Sequence, residues 1–272
     1  MTLSPRVTVV LRVFLVIVFG FMYIPLLVVL INSFNASLVG SWPPQELTTK
    51  WWTSAIDNTG ARDALIESLV VASWATAIAL VLGSMVAFAV TRYQWFGRDS
   101  ISLLIVLPIA LPGIVTGVAL QNAFTQVFPD IGITIGLGLI TVIIAHVTFC
   151  IVIIFNNVAA RLRRASVSME EASMDLGGST WQTFRLVTFP QVRSALLAGG
   201  LLAFGLSFDE IIVTQLAAGA GVQTLPIWIF NNLSRPNQAP VVNVVAALVI
   251  MISIIPVYLA QRLSDDPTQS RM

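Results

Sequence analysis

The sequence predicts an all-α membrane protein with six transmembrane helices, and three observations carry that expectation. Apolar residues make up 57% of the 272-residue chain and charged residues only 10%, with a mean hydropathy of +0.89. One soluble core cannot absorb that surplus, so a bilayer must cover it. Uncharged runs long enough to cross a hydrocarbon layer of about 30 Å, which takes roughly 20 helical residues, recur along the chain. The basic residues gather on alternate connections between those runs.

In chain order, the predicted spans are Val10–Asn32, Ser68–Thr91, Ile101–Val127, Thr134–Asn157, Ala195–Leu216 and Val241–Gln261. The first is too long for a signal peptide and no small-residue cleavage site closes it, so it is expected to stay. In the third, Pro108 and Pro112 each remove a backbone donor and should bend or loosen the helix. Trp42, Trp51, Trp52 and Trp228, near outer span ends, are expected to anchor at the membrane interface. Lys and Arg near span ends mark the cytoplasmic side. With the N-terminus inside, Arg6, Arg12, Arg92, Arg98, Arg161, Arg163, Arg164, Arg185, Arg193, Arg262 and Arg271 are cytoplasmic, and Lys50, Arg62 and Arg235 are outside. Both termini are then cytoplasmic, residues 158–194 form the longest inner loop, and residues 1–272 form a single transmembrane domain.

Several chemistries are excluded by what the chain lacks. Lys50 is the only lysine and has no glycine-rich strand-to-helix turn around it, so a phosphate-binding G-x-x-x-x-G-K-[ST] loop is absent. Any role driven by ATP therefore needs a second chain. Cys150 is the only cysteine, so no disulfide forms within the chain. His146, one helical turn before it, is read as ordinary helix packing rather than half of a metal site. No catalytic residue, metal site, cofactor or nucleic-acid partner is expected.

The inner loop carries the richest local pattern. Ser168-Met169-Glu170-Glu171 matches a capping box, predicting a helix start. Met169, Ala172, Ser173 and Leu176 share one narrow face of small or apolar groups, with Glu170, Glu171 and Asp175 off it. Gly177 can take the left-handed conformation that ends the helix. Ser179-Thr180-Trp181-Gln182 offers a second capping box, and the apolar residues Trp181, Phe184, Leu186 and Val187 run up to Pro190, where continuation is discouraged. This pattern alone leaves two readings open: a hairpin lying on the membrane surface, or a docking handle.

Inside the fifth predicted span sits the pair Asp209-Glu210. Charges in lipid are costly and normally face an aqueous path or a partner. Neighbours on a helix point about 100° apart. Glu210 shares a small, partly polar stripe with Ala203, Ser207, Thr214 and Ala217, whereas Asp209 lies with Leu202, Leu206, Ile212 and Leu216. Glu210 is therefore the candidate to line a path for a cation, and Asp209 to pair with an arginine or another donor. A carboxylate serving helix packing or gating remains the alternative, and a break in this helix would undo the assignment.

Residues 171–190 resemble the E-A-A loop of the membrane subunits of binding-protein-dependent ABC importers, written E-A-A, three residues, G, nine residues, I-x-L-P. Glu171, Ala172, Ser173, Gly177, Val187, Phe189 and Pro190 occupy those places, with Ser, Val and Phe as departures, and Asp175-Leu176-Gly177-Gly178-Ser179 resembles the D-L-G-A-S core. Tyr23-Ile24-Pro25-Leu26, Asn32-Ser33-Phe34-Asn35, Thr49-Lys50-Trp51-Trp52, Leu111-Pro112-Gly113-Ile114 and Leu206-Ser207-Phe208-Asp209-Glu210 resemble, in order, the spermidine/putrescine-type permeases, the second of the usual pair. The resemblance implies a type I importer permease fold in a bacterial cytoplasmic (inner) membrane. It implies a homologous second permease, two copies of a cytoplasmic ATPase carrying ATP and magnesium, and an extracytoplasmic substrate-binding protein. It also implies a polyamine substrate and coupling through Glu171, Ala172, Ser173, Asp175, Leu176, Gly177 and Pro190. A permease for another small solute, or an ion-coupled secondary transporter using the acidic pair, is the alternative.

Overall fold

The computed structural model describes residues 4–38 and 41–264. Arg271, counted above among the inner basic residues, lies outside them. Every regular element among the described residues is helical, apart from one antiparallel bridge between Asn35 and Leu47. The chain divides into two compact units, Met1–Arg62 with Trp228–Ile255, and Asp63–Ile227 with Pro256–Met272.

In the first unit, α1 (Pro5–Asn32) begins where Ser4 turns extended and its hydroxyl accepts from the Val7 N–H, with Pro5 at the first helical position. Proline fits there because that N–H has no intrahelical partner in any case. Along α1 none of the apolar window is buried within the chain, so lipid or another subunit must cover it. The following loop is built on aromatic groups: the Trp51 indole N–H donates to the Asn35 carbonyl at 3.0 Å, and Trp52 lies against Phe34 with ring centroids 5.1 Å apart. Trp228 departs from its predicted interfacial role. It is buried, and a methyl group on Gly60 would stand 3.1 Å from its indole nitrogen, so it is a packing residue of this unit. The predicted last span falls in a helix over Ala239–Ser264, apolar along Ala239–Ile254.

In the second unit, α6 (Leu139–Arg164) is the most enclosed of the helices long enough to cross a membrane. Its neighbours offer small residues to it and to one another. Ala75, Ala79, Ala87 and Ala203 are fully buried, and a methyl on Gly83 would meet Ile154 Cβ at 2.9 Å. Helices in lipid gain little from hydrophobic exclusion, so close approach through small residues is what packs them. α6 starts later than predicted, after Gly138, and runs on through three arginines of its last turn.

Among the described residues four helices are long and apolar enough to cross a membrane: Arg6–Asn32, Thr59–Arg92, Leu139–Arg164 and Thr180–Phe208. The count rises to five if the bent pair Arg98–Pro108 and Gly113–Asp130, turned by 101°, is taken as one span. The bend follows Ala110, and Pro112 accounts for it. Leu111, the residue before that proline, is pushed into extended backbone (φ −83°, ψ 143°). Pro108 sits inside the first half without ending it.

The predicted fifth span is the largest departure. Instead of starting at Ala195 and running to Leu216, the helix starts at Thr180, reaches Phe208, and stops; a separate short helix covers Ile212–Ala217. Pro190 does not end the preceding segment. A π turn over Phe184–Thr188 widens the ladder just before it, with the Phe189 N–H bonded to the Phe184 carbonyl, so the missing Pro190 donor is absorbed. The same device precedes Phe128-Pro129, where a π turn spans Ala123–Val127.

Candidate functional site

The inner loop folds into a hairpin of α7 (Val167–Asp175) and the first turns of the long helix α8 (Thr180–Phe208). Its corner is set by glycine. Gly177 has φ +86°, its N–H donates to the Met174 carbonyl at 2.9 Å, and the Gly178 N–H donates to the Ser173 carbonyl at 3.0 Å. These two bonds are the Schellman pattern, which satisfies carbonyls the ended helix would leave unpaired. Gly178 is held by space instead, since a methyl there would sit 2.7 Å from the Ser173 carbonyl oxygen. The second capping box forms as predicted: the Ser179 N–H donates to Gln182 Oε1 at 2.8 Å and the Gln182 N–H to Ser179 Oγ at 3.3 Å.

The first capping box does not form. The helix starts two residues earlier than that box requires, at Val167, and the Ser168 hydroxyl pairs with that of Ser166. Glu171, the carboxylate of that box, is exposed, while its neighbour Glu170 places Oε1 2.9 Å from Arg92 Nη2 in a pair only 11% and 15% exposed. Arg92 also donates to the Leu162 carbonyl at 3.1 Å, so the last residue of α3 (Thr59–Arg92) clamps the end of α6 to α7. Sequence reading missed this clamp because it set Glu170 among the off-face charges; the only signal for it was an arginine ending a span.

The remaining predicted coupling residues divide. Glu171, Ala172, Asp175, Leu176 and Gly177 are exposed, as is Pro190, and Leu176 at the corner is 90% exposed. Ser173 turns the other way, with its hydroxyl 3.0 Å from that of buried Thr183 on α8. Its small size therefore serves the seam inside the hairpin. Phe184 joins that seam to the membrane helices, stacking with Trp181 and meeting Phe88 edge-on. What the hairpin offers outward is an apolar crest, Met174, Leu176 and Trp181, beside the carboxylates of Glu171 and Asp175.

The acidic pair lies where α8 ends. Asp209, expected to pair with an arginine or another donor, is exposed and has no ion pair among the described residues. Glu210 is half-buried, and its Oε1 accepts from the Val213 N–H at 2.9 Å, capping α9 (Ile212–Ala217). The stripe drawn through Glu210 on one continuous helix is thus interrupted, although Ala203, Ser207, Thr214 and Ala217 are all buried. α9 packs on α5 (Gly113–Asn122), the half-helix beyond the other break. Gly117 lets them come close: a methyl there would stand 2.5 Å from Leu216 Cδ1, so that side chain would have to shift. Behind the break stands fully buried His146, with Nδ1 2.7 Å from Ser207 Oγ and Nε2 2.8 Å from Thr214 Oγ1. Each of its ring nitrogens is therefore engaged by a hydroxyl, consistent with its reading as a packing residue.

The hairpin thus joins two helices long enough to cross a membrane, two interrupted helices pack against each other, and comparison with known proteins gives the family. Residues 79–268 match the family described as binding-protein-dependent transport system inner membrane component. The chain belongs to that family. It is 33% identical over 240 residues to the putrescine transport system permease protein PotI of Escherichia coli (strain K12), covering 88% of this chain and 84% of that one. With the spermidine/putrescine transport system permease protein PotC of the same strain it shares 30% over 257 residues, 94% of each. Its fold matches the crystal structure of a bacterial ABC transporter involved in the import of the acidic polysaccharide alginate, at TM-score 0.73 and 15% identity, over 96% of this chain and 98% of that one. This permease is accordingly an ABC importer subunit of the spermidine/putrescine family, multi-pass in the inner membrane, with the fold of type I importer permeases.

Proposed function

We propose that this permease forms half of the translocation path for a polyamine, putrescine or spermidine, and that its hairpin is the seat of a separate ATPase. In this reading it pairs with a homologous second permease. Two copies of a cytoplasmic ATPase burn ATP with magnesium, an extracytoplasmic binding protein delivers the solute, and both termini of the permease are cytoplasmic. A polyamine is an extended polycation, and carboxylates at Glu210 and Asp209 lower the cost of carrying it through a low-dielectric slab.

The observation that carries this reading is the continuity of Thr180–Phe208: the second arm of the hairpin and the fifth membrane helix are one helix, which ends at Asp209-Glu210. A push on the hairpin is thereby delivered along a stiff rod to the acidic break, with no flexible loop between to dissipate it. Glu171, Ala172, Asp175 and Leu176 meet the ATPase, Gly177 sets the corner, Ser173 binds the two arms, and Pro190 sits in the rod just beyond its π turn.

Replacing Gly177 by Asp tests it in the assembled four-component importer in proteoliposomes. An L-residue at φ +86° is strained, and the added carboxylate sits at the corner offered to the ATPase. The expected result is normal membrane insertion with loss of ATP-dependent putrescine uptake and of crosslinking from Leu176→Cys to the ATPase. Unchanged uptake by the assembled variant overturns the coupling role.

A further inference from the structure

The fifth membrane helix is broken at its acidic pair, yet the two pieces stay in nearly one helical phase, since Ser207 before the break and Thr214 after it are both fully or almost fully buried. The neighbouring helix α6 holds both pieces. Cys150 Sγ lies 3.5 Å from the Ala203 carbonyl below the break, and Thr141 Oγ1 donates to the Ala217 carbonyl at 2.7 Å above it. Between these, His146 is the residue whose side chain hydrogen-bonds both pieces, through Ser207 and Thr214.

The direction of each bond follows from counting protons. Thr214 Oγ1 lies 2.8 Å from the Glu210 carbonyl oxygen, which can only accept, so the single hydroxyl proton of Thr214 points there. Nε2 of His146, 2.8 Å from the same oxygen, must then be the donor. A second proton on Nδ1 would place a full charge on a buried ring that bonds to no carboxylate among the described residues, a costly arrangement. Nδ1 therefore accepts from the Ser207 hydroxyl. The result is one ordered chain: Ser207 O–H to Nδ1, Nε2–H to Thr214, and Thr214 O–H to the Glu210 carbonyl, while the Glu210 carboxylate accepts from Val213 through one oxygen. Its other oxygen is left without a protein partner among the described residues.

We propose that His146 is a positioning residue for translocation: as its Nε2–H tautomer it splints the broken fifth helix and fixes the backbone of Glu210, so that the free oxygen of that carboxylate is presented to passing solute. This rests on the reading of Glu210 as part of a polyamine path. The break is then a rigid elbow rather than a hinge, and movement delivered along α8 carries α9, and α5 packed on it, as one body.

His146 is the only histidine in the chain, so a tag-free sample labelled with 15N-histidine reports on it alone. In the full chain held in lipid nanodiscs, the two ring nitrogens should give the Nε2–H pattern. Thr214→Val, which keeps the shape and removes the hydroxyl, should mix the tautomers. In the assembled importer, His146→Leu and Thr214→Val should each lower putrescine uptake about tenfold, the size expected for one buried hydrogen bond to a polar chain. ATPase activity stimulated by the binding protein should persist, and His146→Gln, which restores a donor and an acceptor, should recover part of the uptake. An Nδ1–H pattern, an imidazolium pattern, or wild-type uptake by Thr214→Val overturns the splint. An intact Nε2–H pattern in a wild-type complex that carries no polyamine overturns the substrate assignment and leaves the splint standing.

Discussion

The hairpin and the elbow in the fifth helix both keep polar pairs inside and differ in what lies beside their exposed charges. At the hairpin Arg92 reaches Glu170 and Ser173 reaches Thr183, while the exposed carboxylates of Glu171 and Asp175 stand beside the exposed apolar groups Met174, Leu176 and Trp181. At the elbow the neutral polar groups are again internal, in the chain through His146, but the charges stand at the edge, Asp209 exposed and Glu210 half-buried. On the proposed reading the apolar crest supplies the buried anchors of a protein contact, and the charged edge is what a hydrated cation passes. The one rod joining them, Thr180–Phe208, makes each region's chemistry matter to the other.

The comparison breaks most severely if the inward polar groups of the hairpin are removed. Glu170→Ala leaves the Arg92 guanidinium nearly buried without its counter-ion, and breaking one side of such a pair costs about 3 kcal/mol or more. Thermal unfolding of the purified permease should fall by several degrees, and little assembled importer should be recovered. The double variant Arg92→Leu with Glu170→Leu should regain much of the loss, because it is the orphaned charge, rather than the absent attraction, that destabilises. A single variant as stable as the wild type would show that the hairpin does not depend on its clamp.

Much of the hairpin was legible in the sequence because its signals are local. Gly177 and the Ser179–Gln182 box act over three or four residues, and both fold as their spacing predicts. The Arg92–Glu170 clamp was not legible because its partners lie 78 positions apart and a lone arginine at a span end is routinely explained by topology. The break at Asp209 failed for a related reason. Helical periodicity continues across it, with Ala203, Ser207, Thr214 and Ala217 all buried, so the pattern reports the phase of the backbone and is blind to a missing turn. Pro190 misled in the other direction, since a π turn can take up a lost donor without ending the helix, and no residue type announces one.

A smaller effect sharpens the elbow's side of the comparison. Glu210→Gln keeps a side-chain oxygen able to accept from the Val213 N–H, so the cap on Ile212–Ala217 survives while the charge is lost. Putrescine uptake should fall about tenfold, roughly what a charge contributes at a few ångströms where solvent screens it only partly. Assembly and basal ATP hydrolysis should stay near wild type. Equal transport by variant and wild type would remove Glu210 from the path and leave its carboxylate as a cap alone.

The smallest change concerns the hairpin's crest. Leu176 is 90% exposed, so Leu176→Ala deletes almost no internal contact and should shift the stability of the isolated permease by less than about 0.5 kcal/mol. If the crest docks in a groove on the ATPase, the same change removes an apolar anchor, worth about 1 kcal/mol at an interface, and uptake should drop a few-fold with a matching rise in the ATP hydrolysed per solute carried. Its value lies in the separation: a residue with nothing to hold inside its own chain can matter to transport only through another protein. Unaltered coupling in Leu176→Ala and in Trp181→Ala together would mean that the carboxylates of Glu171 and Asp175, and not the apolar crest between them, make the contact.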